Sequence, residues 1–222
     1  MFSTFVYLFS AVITFLASRF FFAAWKKNQY DPYREFGAFF LFLGLGFVIP
    51  ALLLFGNPAL SSVAGELISF FILFSFAFVL RAFVRFQQMS AISPDTIMVL
   101  AMLASLAKLG MGMYYSCAPQ IKEGLIYWHY PPPNIAIYLA LLTFYTAAMG
   151  VTLLSNLRNI QKNRKLILYL GTAFLLSGAA GILIIGFNSF WPMLWGSVLL
   201  LITFVLVALF VLSSLLKKEE QP

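Results

Sequence analysis

The chain has 222 residues, of which 62% are apolar and only 9% are charged, and its mean hydropathy is +0.95. Soluble proteins are about half apolar and about a quarter charged, so this composition excludes a soluble protein. The formal net charge is +7. Because the basic residues flank apolar segments, we attribute this charge to membrane topology, and we expect no nucleic-acid partner.

Seven apolar segments are each long enough to cross a bilayer, which requires about 20 residues in a helix. The predicted fold is therefore an all-α integral membrane protein, a single domain over residues 1–222 with seven transmembrane helices in a bundle. The predicted spans are 2–25, 37–55, 66–86, 95–115, 134–157, 166–187 and 191–215.

The basic residues indicate which helix ends face the cytoplasm, because short basic loops resist translocation across the membrane. Twelve of the 14 basic residues lie at one set of helix ends or in the connections there: Arg19, Lys26, Lys27, Arg34, Arg81, Arg85, Arg158, Lys162, Arg164, Lys165, Lys217 and Lys218. This asymmetry predicts an N-terminus outside, a cytoplasmic C-terminus and a place in the plasma (cytoplasmic) membrane.

Small and polar residues recur on one side of several predicted helices, which marks the face that packs against protein. The stripe in the first helix consists of Ser3, Tyr7, Ser10, Thr14 and Ser18, and the stripe in the fourth consists of Ala101, Ala104, Ser105, Lys108, Gly112 and Tyr115. The seventh predicted helix has no comparable stripe, so we expect it at the periphery. Asn134, which follows three prolines, is predicted to cap the fifth helix.

Lys108 is the most informative single residue, because it lies roughly 10 Å inside the end of its predicted helix. An intramembrane lysine costs about 2.5 kcal/mol or more and is a functional candidate by default. We expect its ammonium to point into the bundle toward the first and fifth helices, where Glu66 is the nearest acid able to pair with it. The alternative is a structural lysine whose stem extends toward the interface.

These features together predict a ligand site that opens to the outer side of the membrane. It combines the lysine and its acid with hydroxyl and aromatic groups, and the predicted ligand-binding residues are Lys108, Glu66, Tyr7, Ser10, Thr14, Tyr115, Thr143 and Thr146. Phenylalanines of the second and third spans either line a site for a flat apolar ligand or face lipid. They are Phe39, Phe40, Phe42, Phe70, Phe71, Phe74, Phe76 and Phe78.

Arg81 and Arg85 lie one helical turn apart at the inner end of the third predicted helix. A voltage sensor carries arginines at every third position over several turns, which this helix lacks. Two arginines at this spacing are typical of an interfacial anchor. We therefore predict contact with anionic lipid or with a partner protein at the inner face.

Enzymatic chemistry has little support in the sequence. His129 is the only histidine and Cys117 the only cysteine, which excludes a bis-histidine haem, a histidine-rich di-iron site and a thiolate metal cluster. No glycine-rich phosphate loop is present. We expect a non-enzymatic protein with no metal and no cofactor.

Two functions are compatible with this layout. The first is a sensor-like or ligand-binding subunit that takes a small or lipidic ligand from the outer side and acts through a membrane or cytoplasmic partner. The layout of seven helices with basic inner loops is similar to that of the sensory input halves of some bacterial receptors. The alternative is a small-solute transporter whose 3+1+3 helix layout resembles that of PQ-loop carriers. However, Pro119-Gln120 follows the fourth helix, whereas the family motif lies in the first helix of each repeat.

Retinal proteins and ligand-free accessory subunits are two further classes of membrane protein with which the sequence can be compared. Retinal proteins carry their lysine in the seventh helix, and residues 191–215 contain no lysine. An accessory subunit that binds no ligand would require only a broad groove of small residues.

Overall fold

The computed structural model describes residues 2–52, 58–87, 93–114, 119–156 and 164–219. The secondary structure within these ranges consists of helices and one small hairpin, and seven of the helices are long and apolar enough to cross a membrane. They are α1 (Phe2–Asn28), α2 (Asp31–Leu52), α3 (Pro58–Gln87), α4 (Pro94–Tyr114), α5 (Pro132–Ser155), α6 (Arg164–Gly186) and α7 (Phe190–Glu219). The predicted seven-helix membrane bundle is confirmed at this level.

Several helices extend beyond their predicted spans. Helix α3 begins at Pro58, about two turns before the predicted start, so Glu66 lies inside the helix rather than at its first residue. Helix α2 begins at Asp31, ahead of the predicted residue 37. Hydropathy identifies the part of a helix that crosses hydrocarbon, whereas polar first turns continue the same backbone hydrogen bonding outside it.

Helices α1, α2, α3, α5, α6 and α7 form a ring in chain order, and α1 closes it by packing against α7. Helix α4 lies outside this ring and rests mainly on α3, so the prediction that α7 is peripheral was wrong. Helix α7 buries bulky residues at steps of four, three and four, namely Leu200, Phe204, Val207 and Val211. An apolar residue that faces protein cannot be distinguished by hydropathy from one that faces lipid.

The predicted packing stripes are confirmed in α1 and α4. All five stripe residues of α1 are buried, and four of the six predicted for α4 are buried, namely Ala101, Ser105, Lys108 and Gly112. Ala104 is half-buried, and Tyr115 lies outside the described residues. Ser18 donates a hydrogen bond of 2.8 Å to the carbonyl of Gly37 and so links α1 to α2. These stripes set the orientation of both helices in the bundle.

A β-hairpin that the sequence did not predict lies between α4 and α5. Strands β1 (Gln120–Lys122) and β2 (Leu125–Tyr127) pair antiparallel, and Glu123 and Gly124 turn between them with φ values of 53° and 77°. The carbonyl of Gly124 accepts a hydrogen bond from the Ser3 amide. We call this end of the bundle the hairpin end, and the opposite end, which carries Arg81, the arginine end.

Candidate functional site

A buried ion pair lies in the half of the bundle nearer the hairpin end. The Lys108 ammonium donates to Glu66 Oε2 at 2.7 Å and to the Ser69 hydroxyl at 3.2 Å. The Lys108 and Glu66 side chains are 0% and 2% exposed. Asn134 of α5 donates to the other carboxylate oxygen of Glu66 at 2.9 Å. Three helices therefore meet at one carboxylate. Lys108 points into the bundle as predicted, but Glu66 and Ser69 lie on α3, whereas the predicted direction was toward α1 and α5.

Local sequence explains how this pair fits between α3 and α4. Gly112 lies one turn after Lys108 on the same face of α4, and the Glu66 carboxylate occupies the space that a Cβ at position 112 would fill. Glycine thus lets α4 approach α3 closely enough for the ion pair to form. Ser69, one turn after Glu66, donates to the Glu66 carbonyl at 2.9 Å and accepts from Lys108.

Aromatic rings enclose the lysine on its remaining side. The Lys108 Nζ lies 5.3 Å from the ring centroid of Tyr130 and 5.6 Å from that of Tyr138, which is the range of a cation–π contact. The Tyr130 hydroxyl donates to the Gly65 carbonyl at 2.8 Å and fixes the residues after β2 against α3. The ammonium is therefore shielded from lipid and held within the protein.

A cavity of about 90 Å³ lies inside the helix ring, directly beside the two tyrosines. Its wall comes from all the ring helices and from Trp128 and Tyr130. Along α6 it extends from Ile185 to Leu170, which corresponds to about 22 Å at 1.5 Å per residue. Of the eight phenylalanines considered, Phe39, Phe40 and Phe76 line it and face the interior. The other five do not line this cavity and are half-buried, namely Phe42, Phe70, Phe71, Phe74 and Phe78.

Few polar groups reach the cavity wall. The Tyr7 hydroxyl accepts a hydrogen bond of 3.2 Å from the Trp128 indole. The Ser177 and Thr203 hydroxyls donate to carbonyls of their own helices, at 2.7 and 2.9 Å. Among the described residues that line the cavity, none is charged, and the rings of Tyr130 and Tyr138 stand between it and Lys108.

The structure separates the predicted ligand-binding residues into two groups. Lys108 and Glu66 are paired, and Tyr7 lines the cavity. Ser10 and Thr14 instead donate to carbonyls of α1. The other predicted residues also lie away from this centre or outside the described ranges.

Of these others, Thr146 of α5 is buried against Gly178 of α6 and donates to the Leu142 carbonyl. Thr143 is exposed on α5. Tyr115 lies outside the described residues. A periodic hydroxyl stripe therefore marks a packing face in this bundle, and a stripe alone does not identify which of its members reaches a cavity.

Asn134, Tyr130, Tyr138 and Ser69 belong to the centre but were missed as site residues. Asn134 was predicted to cap α5, yet that helix begins at Pro132 and its first position shows no side-chain cap. Prolines in the first turn have no backbone N–H to be capped, and the Asn134 amide donates to Glu66 instead. The signal available in the sequence was that Asn134 lies one helical turn before Tyr138.

At the arginine end, Arg81 joins three helices through a second buried acid, Glu35, and through Asp95. Glu35 is 2% exposed, and Arg81 approaches it at 3.2 Å while also pairing with Asp95 of α4. Arg85 pairs with Asp31 at 2.7 Å. Both arginines thus tie α3 to neighbouring helices, and their contact with anionic lipid or a partner stays a prediction.

Comparison of the chain with models of known protein families gives no match, and comparison with curated proteins gives none either. Function is therefore inferred from the geometry of the buried pair and the cavity.

Proposed function

We propose that this chain is a non-enzymatic multi-pass membrane protein that binds a small lipidic ligand inside the helix ring and acts through a partner. The cavity is the observation that carries this proposal. Ligand sites are concave and mostly apolar, with a few polar groups that set orientation, and this cavity combines an aromatic and aliphatic wall with hydroxyls from Tyr7, Ser177 and Thr203.

Packing physics supports an apolar occupant. Protein interiors are close-packed, with few voids larger than a water molecule. The cavity volume of about 90 Å³ exceeds the roughly 10–15 Å³ that a cavity needs to hold one water molecule. Water is a poor occupant because apolar walls offer it few hydrogen bonds. Hydrocarbon, in contrast, recovers the dispersion contacts that an empty void forgoes.

The chemistry of the wall supports binding rather than catalysis. The Ser177 and Thr203 hydroxyls donate to carbonyls of their own helices, so neither is paired with a general base as a nucleophile would be. The Lys108–Glu66 pair is mutually neutralised and lies behind tyrosine rings. We assign this pair the role of fixing the wall next to the ligand.

In this proposal the hairpin end faces outward and the arginine end faces the cytoplasm of the plasma (cytoplasmic) membrane. Lys26, Lys27 and Arg164 are exposed at the arginine end and, with Arg81 and Arg85, supply positive charge for anionic lipid or a cytoplasmic partner. The ligand enters from the outer side, where Trp128 and Tyr130 cover the cavity.

Filling the cavity tests ligand binding directly. Ala173 of α6 is 3% exposed and lines the cavity, so Ala173→Leu places a larger side chain where the ligand lies. We expect the protein purified from native membrane to lose most of the apolar compound that extraction and mass spectrometry recover from wild type. Ala179→Leu makes the same change at an exposed position of α6 and should retain it. Equal recovery from both variants would refute binding in the cavity.

The proposed orientation is tested by reporter fusions. A reporter that works only in the cytoplasm should be active when fused after Lys218 and inactive when inserted in the connection 117–131, because the basic residues favour a cytoplasmic arginine end. Reporters that work only outside supply the reciprocal measurement. The reverse activity pattern would invert the orientation and with it the side from which the ligand enters.

A transporter with a 3+1+3 helix layout is the second candidate, and one observation favours it. The cavity has walls from α1–α3 on one side and α5–α7 on the other, while α4 lies outside the ring. The apolar wall favours an apolar cargo over a polar solute. Counterflow of the copurified compound across proteoliposomes, abolished by Ala173→Leu, would establish transport; binding without counterflow would support the ligand-binding subunit.

A further inference from the structure

We propose that the cavity ligand is an uncharged lipid-like chain whose carbonyl oxygen accepts hydrogen bonds from the hydroxyls of Tyr7 and Tyr138. This inference rests on the proposed function and names the chemical class of its ligand. The carbonyl lies at the hairpin end, and the chain extends along α6 toward the arginine end.

The two tyrosines supply donors that no described residue satisfies. Tyr7 accepts the indole hydrogen bond of Trp128, but within the described ranges no acceptor receives its own proton. Tyr138 is 1% exposed, and its hydroxyl has no hydrogen bond to any described residue. The two phenols line the same cavity. Buried donors almost always have acceptors, so a ligand oxygen is the missing group.

The type of oxygen follows from the donors around it. A carbonyl oxygen has two lone pairs and no proton, so one such atom can accept from both phenols at once. The nearest strong acceptor, Glu66, already accepts from Lys108 on one oxygen and from Asn134 on the other. An alcohol would bring a proton of its own that also needs an acceptor, whereas a carbonyl brings none.

The charges beside the cavity favour a neutral ligand. An anionic headgroup next to Tyr138 would approach the carboxylate of Glu66, and a cationic headgroup would approach the ammonium of Lys108. These two charges neutralise each other at 2.7 Å, so a new charge would be buried without a counterion, which is strongly unfavourable. A neutral carbonyl requires no counterion.

The remainder of the wall suits a chain. Phe39, Phe76 and Phe174 line the cavity with other aromatic and aliphatic side chains, and the length of about 22 Å along α6 is that of an extended lipid tail. Burying apolar surface against this wall supplies affinity in proportion to chain length. The hydrogen bonds at Tyr7 and Tyr138 fix which end of the ligand faces the hairpin.

The test compares four probes with one common chain: methyl palmitate, cetyl alcohol, hexadecane and palmitate. Each radiolabelled probe is titrated into the protein in lipid nanodiscs, with empty nanodiscs as background. We expect methyl palmitate to bind tightest, ahead of cetyl alcohol and hexadecane, and palmitate to bind weakest. Tightest binding of palmitate, or equal binding of hexadecane and methyl palmitate, would overturn the inference.

Tyrosine variants identify the donors. Tyr138→Phe keeps the ring against Lys108 and should weaken methyl palmitate binding on the order of fivefold, while hexadecane binding stays unchanged. Tyr7→Phe should do the same, and Tyr30→Phe, outside the cavity at the arginine end, should change neither probe. An undiminished preference for methyl palmitate over hexadecane in both cavity variants would also overturn the inference.

The results separate the two proposals. Hexadecane and methyl palmitate that bind equally, and are both excluded by Ala173→Leu, would leave the ligand-binding cavity intact and remove only the carbonyl assignment. Absence of saturable binding for all four probes would count against the proposed function as well.

Discussion

Replacing Lys108 with methionine is expected to destabilise the bundle by about 3 kcal/mol or more, because Glu66 would be left buried without a cation. Methionine conserves most of the apolar volume, so the loss reflects charge and not a cavity. The measurement is the melting midpoint of the purified protein in detergent, followed by fluorescence-detected size exclusion. Lys27→Met removes an exposed lysine at the arginine end and should leave the midpoint unchanged.

The double variant Lys108→Met with Glu66→Gln separates a stranded charge from lost packing. Removing both charges of a buried pair is often neutral, and glutamine keeps an oxygen that accepts from Asn134, so most of the stability should return. A double variant as unstable as Lys108→Met would show that the stranded charge of Glu66 does not cause the loss. If Lys108→Met itself melted at the wild-type midpoint, the ion pair would have no role in stability.

The second large effect is expected for Gly112→Ala. Its new methyl group would overlap the Glu66 carboxylate, so either α4 moves away from α3 or Glu66 turns away from Lys108. Overpacking of this kind costs about 1–3 kcal/mol, and the lengthened ion pair adds to it. The loss should appear as a lower melting midpoint in the same detergent measurement.

Gly110→Ala is the matched control, two residues earlier on the same helix. Gly110 is exposed, and a Cβ there has nothing within 4 Å. Because alanine favours helix by about 1 kcal/mol over glycine, this variant should be as stable as wild type or slightly more so. Equal midpoints for the two glycine variants would indicate that Glu66 does not lie against α4 as described.

Hydropathy predicted the number of helices and their approximate spans, because the cost of exposing polar groups to hydrocarbon acts on each segment separately. Neighbour relations depend instead on contacts between segments. The sequence therefore did not predict that α4 lies outside the ring or that α7 closes it. The small-residue stripes identified the buried faces of α1 and α4, since close approach requires residues of that size.

The candidate site was predicted in part for the same reason. A lone intramembrane lysine requires a partner, and Glu66 was the nearest acid, so the pair followed from charge alone. Tyr138 and Asn134 contribute through positions that only the assembled helices define. The cavity could not be predicted, because a phenylalanine such as Phe76 has the same sequence signal whether it faces lipid or an interior void.

The ion pair between α3 and α4 also constrains how the chain enters the membrane during synthesis. A lysine near the centre of an isolated helix raises its insertion free energy by about 2.5–3.5 kcal/mol, and Lys108 lies about 9 Å inside α4. Glu66 enters first and has its cation only once α4 has been made. We therefore expect α3 and α4 to leave the translocon together as a neutralised helical pair, and a chain truncated before Pro94 to have a poorly inserted third helix.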